Sequence, residues 1–347
     1  MEFLSEYGLF LAKTATVVVA FGIITALVVA MGGRGRAGGP RGHIELTRLN
    51  DRYSDFKQAM QEGLLQGKEL KKARKAEKKE KKKQQQDTDS DTADAARLRL
   101  YVLNFEGDIK ASATDSLREE ISAVLGVARS GDEILLRLES PGGLVHSYGL
   151  AASQLQRIRD AGIQLTVAVD KVAASGGYMM ACVANRIMAA PFAVIGSIGV
   201  LMQLPNFNRL LKRANIDFEQ MTAGEYKRTL TMFGENTDDD RAKVQDDLED
   251  THLLFKEFVA AHREQLDIDT VATGEIWYGQ RAIAQGLVDE LQTSDSFIQQ
   301  CLAERDVFEV SYVARKNWQE KLGVAAESAI ERVALKLWDS NLSRHKY

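Results

Sequence analysis

The chain opens on an apolar run. From Thr14 to Met31 eighteen residues carry no charge, about the length a helix needs to cross the hydrocarbon of a bilayer, and Tyr7 to Leu11 extends the run if Lys13 lifts its amine to the headgroups. A cleaved signal peptide is the competing reading, with Val28-x-Ala30 as its cleavage site. Glu2 and Glu6 in the leading segment and the long apolar core favour an uncleaved anchor. Gly32, Gly33, Gly35, Gly38 and Gly39 with Pro40 then make a flexible exit. From Glu45 to Lys83, Leu, Phe and Met recur at loosely helical spacing, and Gln84 to Ala96 is polar and acidic, which predicts a disordered linker. The folded domain is expected to begin near Arg97.

Beyond Arg97, short apolar runs alternate with helical patterns. The pattern predicts strands at Leu98–Phe105, Glu133–Leu138 and Ile163–Val169, with helices at Thr114–Val127 and Ser147–Arg159. Such alternation implies an α/β domain with a mainly parallel sheet, whose ligand sites lie at the carboxyl ends of the strands. Ile216 to Met221 reads as strand-like. Thr237 to Leu266 reads as an amphipathic helix whose Asp238, Asp239 and Asp240 suit a helix N-terminus better than a metal. Leu322, Ile330, Val333 and Leu337 share one helical face between Trp318 and Trp338, fit for a subunit contact or the domain surface. The organisation expected is a flank at 1–13, an anchor at 14–31, spacer and linker at 32–96, one domain at 97–312 and a helical tail at 313–347.

Composition changes this picture in one respect. The 347 residues, 45% hydrophobic and 27% charged, exclude collagen-like, disulfide-rich and wholly disordered classes. The net charge of −4 hides a basic block: Lys68 to Lys83 holds ten basic and three acidic residues, a local +7 that leaves the remainder near −11. An acidic body repels phosphate, so nucleic-acid binding by the whole chain is disfavoured. The block reads as a solvated spacer or as a contact for anionic lipid. Arg34, Arg36, Arg41 and Arg48 follow the apolar span, so the positive-inside rule puts the body in the cytoplasm. Cys182 and Cys301 lack metal or CxxC spacing and read as buried apolar residues.

Two glycine loops follow predicted strands. Ser140-Pro141-Gly142-Gly143 leaves backbone N–H groups accessible, suited to an oxyanion or a phosphate, or makes a plain tight turn. No GKS or GKT follows it, so it is not a phosphate-binding Walker loop. Ala173-Ala174-Ser175-Gly176-Gly177 places a serine at a strand-to-helix turn, where its hydroxyl is either a nucleophile or a helix cap. Position 173 is alanine, which breaks the GxSxG pattern. A nucleophilic serine needs a base. Of the five histidines only His146 lies near a relevant loop. The alternative base is a partly desolvated lysine, for which burial favours the neutral amine. Lys227, in Thr222-Ala223-Gly224-Glu225-Tyr226-Lys227, is one candidate.

The loop set Ser140 to Gly143, Ala173 to Val200 and Gly224 to Arg228 resembles the signal peptide peptidase A family of Ser/Lys proteases. The resemblance covers roughly Arg97 to Leu291, and the block Gly274 to Asp289 also resembles the end of that family's domain. It implies a Clp-protease/crotonase-like fold with Ser175 as nucleophile, Lys227 as general base and Ser197 as the hydroxyl holding the lysine amine. It implies an oxyanion hole made by the N–H of Gly142 or Gly143 together with that of Gly176. No metal or organic cofactor is implied. A homo-oligomer, ring or dome, is implied as well, with Lys227 acting across an interface, and with signal-peptide remnants or unfolded membrane-associated proteins as substrates, which suggests access to the membrane or the outer compartment and leaves the side of the bacterial inner membrane open against the charge count. Asn185 departs from the family's more frequent aspartate at a position that reads as structural. A crotonase-like acyl-CoA hydratase and a catalytically silent membrane scaffold are the alternatives.

Overall fold

The computed structural model describes residues 42–65, 67–71, 97–224 and 226–314, with isolated positions 13, 16 and 75. The expected anchor, much of the spacer, the linker and the chain from 315 onward lie outside the described residues. No described helix is long and apolar enough to cross a membrane. Residues 44–314 fall in one unit.

Strands with two buried faces organise that unit. β2 (Arg99–Glu106), β3 (Glu133–Glu139), β4 (Gln164–Val169) and β6 (Arg186–Ala189) pair side by side in parallel. β9 (Glu290–Leu291) extends the sheet beyond β6, and β10 (Asp306–Ala314) beyond β2, both in parallel. Successive side chains alternate between the two faces. Tyr101, Leu103, Phe105, Leu136 and Val167 meet α2 (Thr114–Leu125), α3 (Val145–Asp160) and α4 (Gly176–Ala181) on one side. Leu100, Val102, Leu135 and Met188 meet α6 (Ser294–Cys301) on the other. Two covered faces explain why these strands read as nearly continuous apolar runs. A smaller sheet stands beside this one: β5 (Val172–Ala174) runs parallel to β7 (Val194–Gly196), which pairs antiparallel with β8 (Ile276–Tyr278).

Three expectations change. Residues 44–64 belong to the folded unit rather than to a spacer: β1 (Gly42–Arg48) joins the seven-stranded sheet beside β10, and α1 (Leu49–Leu64) packs behind it. Asn50 fixes the junction, its amide donating to the carbonyls of Leu302 (3.3 Å) and Arg305 (3.0 Å) while its oxygen accepts from Val307 N–H (2.8 Å). Those partners come from the far end of the chain, which no local pattern reveals. Ile216 to Met221 forms no strand, because no described edge pairs with it, and Ile216, Phe218 and Met221 stand exposed. The strand β10 carries the domain to Ala314, past the expected boundary at 312.

Other expectations hold. The long helix α5 (Asp238–His262) starts at a capping box, in which Asp240 N–H donates to Thr237 Oγ1 (3.1 Å) and Thr237 N–H to Asp240 Oδ2 (2.9 Å). Cys182 and Cys301 are free and buried. Burial pushes both thiols above their usual range. Asn185 is structural: its Oδ1 accepts from Leu165 N–H (2.9 Å) and its own N–H donates to Leu165 O (2.9 Å).

Candidate active site

Two serines leave neighbouring strands together. Ala174 pairs with Gly196 at the end of the β5–β7 ladder, so the next residues, Ser175 and Ser197, emerge side by side. Both adopt positive φ, 53° and 52°, which side chains with a Cβ rarely do. Ser175 N–H donates to Gly196 O (2.8 Å) and Ser197 N–H to Glu275 O (2.6 Å), so both turns are held from outside. Ser175 occupies the position before α4, yet its side chain makes no capping bond. The helix-cap reading of this serine is therefore set aside: its hydroxyl has no hydrogen-bond partner among the described residues, and the backbone carries strain of about 1–3 kcal/mol.

The Ser140 to Gly143 loop lies directly on that turn. A Cβ at Gly142, where φ is +91°, would fall 2.7 Å from Ser175 Cβ and 2.8 Å from Gly176 N. A Cβ at Gly143 would meet Ile109 O at 2.2 Å, so the loop is wedged between Ile109 and Ser175. The Gly142 N–H donates to Ser140 Oγ (3.1 Å). The N–H groups of Gly143 and Gly176 have no partner among the described residues. Gly176 opens α4 and carries the partial positive charge of a helix start.

Lys227 stands apart. Its N–H donates to Gly224 O (3.2 Å), and its side chain is exposed rather than desolvated as expected. It lines an open cavity of about 780 Å³ with Phe218, Met221, Met232 and Phe233, a cavity that includes neither Ser175 nor Ser197. No hydrogen bond joins it to either serine in the single chain. The surrounding arm is unusually apolar for a free surface, with Leu201, Leu210 and Met221 exposed by 76%, 63% and 92%.

Sequence reasoning missed two residues here. Ser140 and Tyr148 are fully buried, with hydroxyls 2.6 Å apart beneath the glycine loop. The chain shows Ser140 only as the first letter of a turn motif and Tyr148 only as an apolar helix position. Their meeting is tertiary. Also unforeseen is the ion pair of Arg263 with Asp289, bonded at 2.7 and 2.8 Å behind α4.

Fold and loops together define an α/β protein with a mainly parallel sheet whose candidate site lies at the carboxyl ends of strands. The family model "Peptidase family S49 N-terminal" matches residues 2–155, and "Peptidase family S49" matches residues 157–307. The chain belongs to peptidase family S49 and is a protease. It is similar to the protein of Haemophilus influenzae described as "Probable protease SohB", 49% identical over 334 residues, covering 94% of each chain. A protein of the same description from Buchnera aphidicola subsp. Schizaphis graminum is 44% identical over 97% of this chain and 98% of its own. Among solved structures, the 1510-N membrane-bound stomatin-specific protease with a substrate peptide aligns at 14% identity and a TM-score of 0.43, covering 65% of this chain and 96% of that one.

Proposed function

We propose that the chain is a serine endopeptidase of Clp-protease/crotonase-like architecture, anchored in a bacterial inner membrane by residues 14–31. One observation carries the reading. Ser175 presents an unpaired hydroxyl from a strained turn at a helix start, beside the unpaired N–H groups of Gly143 and Gly176. In this scheme neutral Lys227 takes the Oγ proton as Oγ bonds to the peptide carbonyl carbon, and the carbonyl oxygen becomes an oxyanion facing the glycine amides. Collapse breaks the C–N bond, and the Lys227 ammonium returns its proton to the leaving amine. Water, deprotonated by Lys227, then releases the acyl group. Ser197, beside Ser175 in register, holds the lysine amine. Gly142 is the weaker candidate donor, since its N–H is engaged by Ser140.

Lys227 reaches Ser175 in an assembled homo-oligomer, ring or dome, in which a neighbouring copy covers the exposed apolar arm. The substrates are peptides or unfolded proteins at the membrane, signal-peptide remnants among them. Fluorophosphonate labelling of the full-length protein, mapped by mass spectrometry, tests the nucleophile. Labelling at Ser175, with turnover abolished in Ser175→Ala and Lys227→Ala while the oligomer persists, is the expected result. Full turnover in either variant overturns the dyad. Digestion of the body in intact spheroplasts, without lysis, would overturn the cytoplasmic orientation.

A further inference from the structure

Beneath the glycine loop the hydrogen bonds run in a single direction. Tyr148 Oη donates its proton to the carbonyl of Asp108 (2.8 Å), which can only accept. The phenol has no second proton, so the 2.6 Å contact with Ser140 must be donated by Ser140 Oγ. That hydroxyl in turn accepts from Gly142 N–H (3.1 Å). The order is thus Gly142 N–H to Ser140 to Tyr148 to Asp108. Ser140 and Tyr148 are fully buried, and burial pushes the phenol above its usual range, which keeps its proton in place.

The same two residues touch the rest of the site. Ser140 N–H donates to Val172 O (2.8 Å) and its carbonyl accepts from Ala174 N–H (3.0 Å), so it is stitched to the strand that delivers Ser175. The Tyr148 ring packs against Gly176 so closely that a Cβ there would lie 2.4 Å from its Cγ. Gly107 leaves room for both hydroxyls, since its own Cβ would fall 2.4 Å from Ser140 Oγ and 2.5 Å from Tyr148 Oη. One side of Tyr148 therefore governs the Gly142–Gly143 loop through Ser140, and the other is in contact with Gly176.

We propose that Ser140 and Tyr148 are positioning residues that set the separation and direction of the Gly143 and Gly176 amides, turning the Gly142 N–H inward so that Gly143 faces the oxyanion. This rests on the reading of Ser175 as nucleophile. Tyr148→Phe keeps the ring against Gly176 and removes only the hydroxyl. Loss of a whole oxyanion donor typically lowers kcat about a hundredfold or more. A donor kept but misaimed should cost less, so kcat is expected to fall about tenfold with KM within about twofold.

The full-length protein in detergent, quantified by active-site titration so that only folded sites count, is assayed with a fluorogenic peptide. In parallel, binding of a peptide boronate, which forms a tetrahedral adduct with the serine, is measured. Boronate affinity should weaken by the same factor as kcat/KM. Ser140→Ala should act likewise, and the double variant should cost no more than the worse single one, because a chain broken once is broken. A boronate affinity and kcat within twofold of wild type in Tyr148→Phe, a rise in KM alone, or additive losses in the double variant would overturn the proposal. Failure of the nucleophile reading looks different: the wild-type protein would then not bind the boronate at all.

Discussion

Gly142 and Ser175 touch across two loops, with no space for a side-chain carbon between them: a Cβ on the glycine would lie 2.7 Å from the serine Cβ. The glycine is required twice over, by this approach and by its φ of +91°. Gly142→Ala must push the loop off the serine. Turnover should fall at least about a hundredfold, the scale of losing an oxyanion donor. Steady-state kinetics on the folded variant check this, and activity within tenfold of wild type would mean that the loop is free to move away from Ser175.

The strain at Ser175 separates stability from activity. At φ 53° and ψ −120° the residue occupies backbone space that glycine enters without penalty. Ser175→Gly should abolish turnover yet stabilise the fold by about 1 kcal/mol, a rise of a few degrees in Tm. Differential scanning calorimetry of the two proteins decides it. A lower Tm in the variant would show that the serine turn is not strained.

Arg263 and Asp289 make stability fall in acid. Burial pushes the Asp289 carboxyl up, but hydrogen bonds from the Arg263 guanidinium and from Ile187 N–H outweigh it and hold the group below the usual carboxylate range. A lowered folded value means stabilisation that is complete above the unfolded carboxylate value and is lost as pH drops through the folded one. Asp289→Asn leaves the Arg263 charge, 3% exposed, without its partner, at a cost of about 3 kcal/mol at neutral pH. Denaturant titrations from neutral to acidic pH should converge for wild type and variant at the acid end. Parallel curves would assign the acid loss to other groups.

How much of this was legible beforehand varies from residue to residue. The strands β2, β3 and β4 lie within a residue or two of their sequence positions, because burial on both faces demands unbroken apolar runs. The acidic run Asp238 to Asp240 announced its helix start, since charge that complements a helix N-terminus is a local signal. Ser175 and the glycine loop stood out because unusual backbone conformations restrict residue type locally. The pairing of β1 with β10 had no such signal, and neither did the union of Ser140 with Tyr148.

By itself, then, the amino-acid order determined whatever depends on a residue and its near neighbours: the alternation of strands and helices, the loops with accessible amides and the serine at a sharp turn. Only the tertiary structure decided which of those loops meet. The β5–β7 register set Ser175 beside Ser197, and the burial of Ser140 put its hydroxyl on the Gly142 amide, leaving those of Gly143 and Gly176 unpaired among the described residues. It also left Lys227 exposed on an apolar arm. Register and packing arise from contacts between segments distant in the chain, whose free energy is spread over many residues and therefore leaves no mark at any single position.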